Sequence, residues 1–435
     1  MFEKVESKNN YNILDDIGYV NGVAQTERII KLSEYQEKAL ELVDEFMKSN
    51  RKHMVIGGIA GSGKSSIIPF ILKKYNDSND WFFHETNKVE CCAYTGKAVM
   101  VLKRKGIVDA RTLHSFLYYS KITKDKDTGE SIVSYEEKHS DYFHGTELLI
   151  VDEASMVTRE MFNLINKKDF KTLYIGDHFQ LPPVKDDFNI MLNPDFKMEK
   201  ILRQNEDNPI IQLAELARNG QPIPLGVYGT SRNTLKFNKE ELLNYDNIVV
   251  WKNVTKDFIN ETIRELRGFP ANIPQQDEKM IVKVNCPKKH LFNGQIVYTM
   301  NKPKIHKMGG WKVELVDELA YNDPFIMAQT DEYIKAIASI HLSKEELDRI
   351  RITPFNEKWT KKGNKFVPTA KNPYQIHLDW GYAITCHQAQ GSSWNNVAVI
   401  LDKSMKYVTK DYYRWLYTAI TRAEESVTIY SGDIK

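Results

Sequence analysis

The sequence predicts an α/β protein of two parallel-sheet lobes, the first interrupted by a β-hairpin and the second by a small β-barrel. Three observations carry this expectation. A glycine-rich turn reading GxxxxGKS, Gly58 to Ser65, lies between the apolar run Met54-Val55-Ile56 and the helix-spaced Ile67, Ile68, Phe70, Ile71 and Leu72. An apolar strand, Leu148-Leu149-Ile150-Val151, ends in the adjacent carboxylates Asp152 and Glu153. At 435 residues the chain exceeds one core, and its strand and helix alternation restarts after residue 200.

Composition narrows the class. With 42% hydrophobic and 27% charged residues the chain reads as globular. Sixty Lys and Arg against 58 Asp and Glu leave +2, so a nucleic-acid partner would have to be held in a local groove. Cys91, Cys92, Cys286 and Cys386 lack metal-ligand spacing, which points to a reducing, intracellular setting. The N-terminus lacks the apolar core of a secretory signal, and no run reaches membrane-span length. A cytoplasmic protein without a membrane partner is expected.

In chain order, residues 1–31 carry no readable motif. A helix follows from Leu32, with Ser33 as N-cap and Gln36 near enough to the glycine-rich turn to pair with an adenine edge. In the turn, Gly58, Gly61 and Gly63 free the backbone to wrap an anion. Ser62 and Ser66 flank the wrap, Lys64 is placed for β- and γ-phosphates, and the Ser65 hydroxyl for Mg²⁺. The chemistry is that of a nucleoside triphosphate.

Next, the strand-like Val89 to Tyr94 leads into Thr95-Gly96-Lys97-Ala98, and Arg111-Thr112-Leu113-His114 follows a short gap. Hydroxyls and a lysine at such turns suit phosphate binding and helix capping equally. Residues 118–145 hold two β-prone runs around Asp127-Thr128-Gly129, a hairpin. Asp152 is then placed for the Mg²⁺ shell and Glu153 for an attacking water. Leu173 to Val184 runs into a turn closed by Pro182 and Pro183, bringing Gln180 to the sheet edge where ligands of open α/β sheets bind.

A second lobe begins near residue 200, with Arg203, a helix over 208–219, a break at Gly220 to Pro224, and strands opening at Asn247 to Trp251. Asn253 sits at the turn before an amphipathic helix, Asp257 to Leu266. Short β-prone runs with one helical stretch, Leu342 to Arg351, suggest a barrel over 279–372, followed by α/β alternation from Tyr374. Arg422, near the end of the helix from Leu416, suits an arginine finger supplied by a facing lobe, as does Arg203. The expected division is a segment 1–31, a first lobe 32–199 with hairpin 118–145, a second lobe 200–278 with 373–435, and an insertion 279–372.

Taken together, Gln36, GGIAGSGKSS, AYTGKA, TLHSF, LLIVDEAS, IGDHFQLPPV, LRQ, YAITCHQAQGSSW and LYTAITRA resemble the ordered motifs of superfamily-one helicases. TLH, GDxxQLPPV and TxHxxQGS are similar to those of the RecD-like class, closest in layout to phage Dda-type helicases. The resemblance spans about Leu32 to Tyr430. It implies two RecA-like P-loop NTPase domains, ATP with Mg²⁺ between them, single-stranded DNA across their top, and 5′-to-3′ unwinding. It places Gln180, Arg203 and Arg422 at the γ-phosphate and Gly391 in the nucleotide site. Thr95, Lys97, Thr112, His114, Asn253, Thr385 and His387 line the DNA path. The hairpin becomes a duplex-splitting pin with Tyr135 as its stacking aromatic, and the insertion becomes an SH3-like barrel. Further implied are single-strand/duplex junctions and replication or recombination proteins as partners, a monomer, and a phage origin in a bacterial host. A translocase that strips proteins without efficient unwinding, a P-loop small-molecule kinase or nucleotide switch, and a non-catalytic DNA-binding module stand as alternatives.

Overall fold

The computed structural model describes residues 32–76, 88–124, 131–183, 186, 188–199, 208–270, 273–283, 286, 289, 291–305, 311–322, 334–340, 359–362, 365–368, 375–402 and 409–433. The 1–31 segment, Arg203 and the expected helix at 342–351 lie outside them.

Lobe one contains α1 (Glu34–Lys48), β1 (His53–Gly58), α2 (Ile68–Asn76), β2 (Val89–Ala93), α3 (Gly96–Arg104), β3 (Arg111–Thr112) and α4 (Leu113–Leu117). The hairpin strands β4 (Tyr118–Lys124) and β5 (Ser131–Glu137) follow, then β6 (Leu148–Asp152), α5 (Arg159–Asn166), β7 (Lys171–Gly176) and β8 (Phe196–Met198). Its sheet runs β3-β2-β6-β7-β1-β8, with every pairing parallel. Helices cover both faces of such a sheet, so β6 reads as an unbroken apolar run and all five of its residues are buried. Ile56, Ile150 and Ile175 pack to one side with α1 to α3; Val55, Leu149 and Tyr174 pack to the other with α4 and α5. Ser33 and Gln36 form a capping box that starts α1.

Lobe two starts with α6 (Pro209–Arg218), whose N-cap Asn208 precedes a proline at the first helical position. Next come β9 (Gly226–Tyr228), β10 (Ser231–Thr234), β11 (Asn247–Val250) and α7 (Asn253–Leu266). The lobe's strands therefore begin before the expected 247–251, because β9 and β10 are short, polar and at the sheet edge. Asn253 is the first residue of α7 rather than part of a preceding turn.

The chain then enters β12 (Lys279–Val282), β13 (Ile296–Thr299), β14 (Lys304–Ile305), β15 (Trp311–Asp317), α8 (Glu318–Asn322), β16 (Ile334–Ile340), β17 (Trp359–Lys362), β18 (Lys365–Pro368) and β19 (Gln375–Trp380). Six of these strands make a sheet ordered β13-β12-β19-β16-β15-β14, antiparallel except for β16 with β19. An additional β13 to β15 pairing curls it into a half-barrel around Met280, Val297, Leu315 and Leu378. The expected return to α/β alternation at Tyr374 comes later, since β19 belongs to this sheet.

Lobe two closes with β20 (Ala383–Thr385), α9 (Cys386–Ala389), β21 (Trp394–Ile400), α10 (Lys410–Ile420) and β22 (Ala423–Tyr430). The order β20-β11-β21-β22-β10-β9 is parallel except at β9. Among the described residues the four buried cysteines form no disulfide, and no helix is long and apolar enough to cross a membrane.

Candidate functional site

The glycine-rich turn leaves the C-terminal end of β1 and closes through a 3₁₀ turn, Lys64–Ile67, into α2. Gly61 and Gly63 adopt φ of 79° and 77°, which a side chain would strain. At Gly58 a Cβ would lie 2.6 Å from Ser62 Oγ and 2.8 Å from Lys64 Cγ, so the loop closes only around a glycine. Lys64 Nζ donates to the Ile59 carbonyl at 2.7 Å across the loop. Ser65 and Ser66 lie in the 3₁₀ turn, and the Ser66 N–H donates to the Gly63 carbonyl. Gln36 Nε2 donates to the Gly63 carbonyl at 3.2 Å, while Oε1 accepts from the Ser33 N–H at 2.9 Å. The buried amide of Gln36, expected at an adenine edge, here holds α1 against the loop.

Strand β7 separates β1 from β6, and register aligns Gly57 with Gly176 and Val151 with Tyr174. The phosphate loop and Asp152 therefore leave the same sheet edge. Glu153 follows with φ of 53°, a left-handed conformation that a non-glycine residue holds only under tertiary constraint. Burial raises the Glu153 carboxyl above its ordinary value and Asp152 adds to this, whereas Arg422 and Lys64 pull it back. A cation of each lobe thus acts electrostatically on the Glu153 carboxyl. Buried polar atoms are nearly always hydrogen-bonded, yet Ser62 Oγ, Ser155 Oγ and Gln180 Oε1 have no partner among the described residues. All three belong to segments at this edge, and a polar ligand would supply what they lack. The Ser65 hydroxyl and Asp152 carboxylate form the hard-oxygen donor set that suits Mg²⁺.

The facing lobe presents α10. Arg422, 5% exposed, donates from Nε to the Thr418 carbonyl and from Nη1 to the Ser392 carbonyl, both at 3.0 Å. Its planar fork is thereby held from behind. A small pocket lies between Ile59, Ala60 and Gly61 of lobe one and Ile210, Ala214 and Tyr417 of lobe two. Tyr417, Thr418 and Gln390 cross the boundary. The Ala60 N–H donates to Tyr417 Oη at 3.0 Å, the Leu181 N–H to Thr418 Oγ1 at 3.1 Å, and Gln390 Nε2 to the Leu181 carbonyl at 3.0 Å. These contacts were not legible as motifs; Tyr417 and Thr418 lie in the last turn of α10, ahead of the turn that carries Arg422.

Along the same edges, Thr95 caps α3 and Thr112 caps α4, accepting from Ala98 N–H at 3.1 Å and Ser115 N–H at 3.2 Å. Thr385 forms a capping box with Gln388 ahead of α9. Capping thus occupies all three hydroxyls, and their outward backbone turns remain available to a strand of nucleic acid. The His114 ring sits 6.1 Å from Tyr94, 6.0 Å from Tyr118 and 6.4 Å from Tyr135. Burial lowers the pKa of both His114 and His387, which favours neutral imidazoles.

Three further site residues have defined surroundings. Tyr135, expected as the stacking aromatic of the pin, pairs with Ser120, two pairs from the hairpin base at Tyr118 and Glu137, and adjoins the His114 ring. Residues 125–130 at the tip lie outside the described ones. Lys97 faces inward, its Nζ 3.6 Å from Glu318 and 4.2 Å from the Trp394 ring, and burial lowers its pKa to about 8. It packs at the junction of both lobes and the insertion. Gly391, with φ of 73°, would place a Cβ 3.2 Å from Thr95 Oγ1; it permits close approach of the lobes beside Thr95, away from the phosphate loop.

Comparison with known proteins follows this geometry. A model of the AAA domain family matches residues 31–234, and one of the UvrD-like helicase C-terminal domain matches 381–430. The ATP-dependent DNA helicase dda of Enterobacteria phage T4 is 24% identical over 448 residues, covering 91% of this chain and 98% of that protein. The ATP-dependent RecD2 DNA helicase of Deinococcus radiodurans is 25% identical, covering 91% of this chain and 48% of its own length. A crystal structure of Bacteroides Pif1 bound to ssDNA shares the fold, with TM-score 0.54, 19% identity and 93% of each chain covered.

Proposed function

We infer that this chain is a superfamily-one, class B helicase, of the group containing Dda, RecD and Pif1, and that it hydrolyses ATP to move 5′-to-3′ along single-stranded DNA and unwind duplex. The observation carrying this is the docking of the lobe-two segment that leads to Arg422 on the phosphate loop, the Ala60 N–H donating to Tyr417 Oη at 3.0 Å, with Lys64 and Arg422 both acting on the buried Glu153 carboxyl. A kinase or nucleotide switch has no need of a second lobe for its site. An arginine delivered from a facing lobe makes hydrolysis depend on lobe closure, which is what a motor requires.

In this reading the two lobes are RecA-like domains. The first covers 32–199; the second covers the chain from 200, apart from an SH3-like insertion starting at 279 and ending with β19 at Trp380. The phosphate loop holds the triphosphate through backbone N–H groups and Lys64. Ser65 and Asp152 would hold Mg²⁺, which when bound neutralises charge on the phosphate oxygens. Glu153 takes a proton from the attacking water, helped by a carboxyl that burial makes more basic. Gln180 orients at the γ-phosphate, and Arg422, with Arg203, stabilises charge there in the transition state.

Backbone turns at Thr95, Thr112 and Thr385, with His387 and Asn253, line the DNA path. His114 and Tyr135 offer π-faces to bases, a sequence-tolerant contact. The hairpin splits the duplex at a single-strand/duplex junction, supported by the insertion. The motor acts as a monomer, with replication or recombination proteins as the fitting partners.

Duplexes bearing only a 5′ or only a 3′ single-stranded tail, incubated with ATP and Mg²⁺, test enzyme, substrate and direction together. Unwinding of the 5′-tailed substrate alone is expected. Equal unwinding of both, or none with ATP turnover intact, refutes the directional motor; the second result favours the protein-stripping translocase.

A further inference from the structure

We propose that Tyr417 is a positioning residue for ATP hydrolysis, its hydroxyl tying the arginine-bearing helix of lobe two to the phosphate loop of lobe one. The proposal rests on the reading of the chain as an ATP-driven motor and names a part of that machine.

One oxygen joins three segments. Tyr417 Oη accepts from the Ala60 N–H at 3.0 Å and donates to Asp177 Oδ2 at 2.7 Å. Asp177 Oδ1 in turn accepts from the Phe179 N–H at 2.9 Å, fixing the loop that carries Gln180. Tyr417 is 3% exposed, and burial together with Asp177 holds its phenol well above the ordinary range. The hydroxyl is therefore a donor and its direction is fixed, since the Ala60 N–H cannot accept.

Tyr417 precedes Arg422 by five residues, Arg422 sitting in the turn between the end of α10 at Ile420 and the start of β22 at Ala423. Withdrawal of Arg422 along with α10 must break the Tyr417 bonds to both loops. Thr418, the adjacent residue, contacts Leu181 instead of the phosphate loop. The pair separates two ideas: general docking of α10, which both residues serve, and specific linkage to the phosphate loop, which Tyr417 serves.

Tyr417→Phe removes the oxygen and keeps the ring that packs 5.9 Å from Phe179. With saturating oligo-dT, kcat for ATP is expected to fall about 10-fold, the loss of one hydrogen bond to a charged group, while KM for ATP moves less than about 2-fold. Without nucleotide, hydrogen exchange in the peptide spanning residues 57–67 is expected to quicken by about 5-fold or more. Thr418→Val should leave loop exchange and kcat within about 2-fold of wild type. Asp177→Ala, which removes the other partner of the same hydroxyl, should lower kcat like Tyr417→Phe and serves if the phenylalanine variant melts early. Wild-type kcat and exchange in both Tyr417→Phe and Asp177→Ala overturn the proposal, as does an equal loss in Thr418→Val. A wild-type chain lacking DNA-stimulated turnover refutes the motor reading instead, and the exchange comparison then decides the Tyr417 link by itself.

Discussion

Replacing Arg422 by alanine tests the site most sharply, because the structure assigns this residue two separable effects. An arginine finger contributes about 10³-fold or more to turnover, roughly 4 kcal/mol of transition-state stabilisation. Its ground-state bonds are smaller: the Thr418 and Ser392 carbonyls each lose a donor, at about 1 kcal/mol apiece. Arg422→Ala should therefore lower single-strand-stimulated kcat by about 10³-fold while shifting the melting temperature only a few degrees. Arg422→Lys keeps charge but not the fork and should recover only part of the rate. The second effect is on pH. Arg422 is one of two cations opposing the upward push of burial on Glu153. A base must be ionised to act, so removing Arg422 raises the Glu153 pKa further and moves the acid limb of the kcat/KM profile to higher pH. Steady-state ATPase over pH 5 to 9 reads both. A variant within about 3-fold of wild type, with its acid limb unmoved, would falsify the assignment of Arg422 to the reacting phosphate.

Other outcomes follow from the same geometry. Lys64→Ala should cut ATP turnover about 100-fold or more while single-strand binding by fluorescence anisotropy stays within about 3-fold, because the loop and the His114 platform are different surfaces. Replacing residues 121–134 by a two-residue Asn-Gly turn should depress unwinding and spare DNA-stimulated ATPase; a parallel loss of both argues against a pin. Glu318 accepts from Lys279 at 2.8 Å and Trp394 Nε1 at 3.0 Å, and despite burial the charges of Lys279 and Lys97, with these hydrogen bonds, hold its pKa down at about 2. Lys97 shares a carboxylate already satisfied and so gains less than burial costs it. Lys97→Met should accordingly be neutral or stabilising, whereas Glu318→Gln, leaving two buried cations short of an anion, should cost about 3–5 kcal/mol by urea unfolding. Between about pH 8 and the ordinary lysine value of 10.5 the unfolded chain holds a proton that folded Lys97 has lost. Wild-type stability should then gain a rising contribution across that window which Lys97→Met lacks.

The catalytic half of the site was legible because its chemistry is local. A strand, a GxxxxGKS turn and a helix are contiguous, as are β6 and its two terminal carboxylates, and parallel pairing then brings both to one edge. What escaped was set by distant partners. Gln36 and Lys97 have the right residue types for adenine and phosphate, but Gly63 engages the first and Glu318 with Trp394 enclose the second. Strands β9 and β10 offer no apolar run, since an edge position does not require one. In β19, Gln-Ile-His-Leu-Asp-Trp alternates with period two, unlike the near-continuous apolar runs of β6 and β11, a difference passed over when the α/β alternation was expected from Tyr374.

The contacts joining the lobes also bear on how such a site can drive motion. Across the boundary run four hydrogen bonds, from Ala60 to Tyr417, Tyr417 to Asp177, Leu181 to Thr418 and Gln390 to Leu181, each contributing about 1 kcal/mol net and the one to the Asp177 carboxylate somewhat more. A bias of a few kcal/mol is small enough for a ligand to reverse, since a ligand moves a two-state equilibrium only by its differential affinity for the two states. In the proposed cycle, a triphosphate touched by Lys64 from one lobe and Arg422 from the other binds the closed arrangement better than the open one. Hydrolysis followed by phosphate release then removes the bridging charge and leaves the same four bonds to decide the resting state. The weakness of the boundary is therefore as necessary to the motor as the buried charges beside it: a boundary many times stronger would hold the lobes together through the whole cycle.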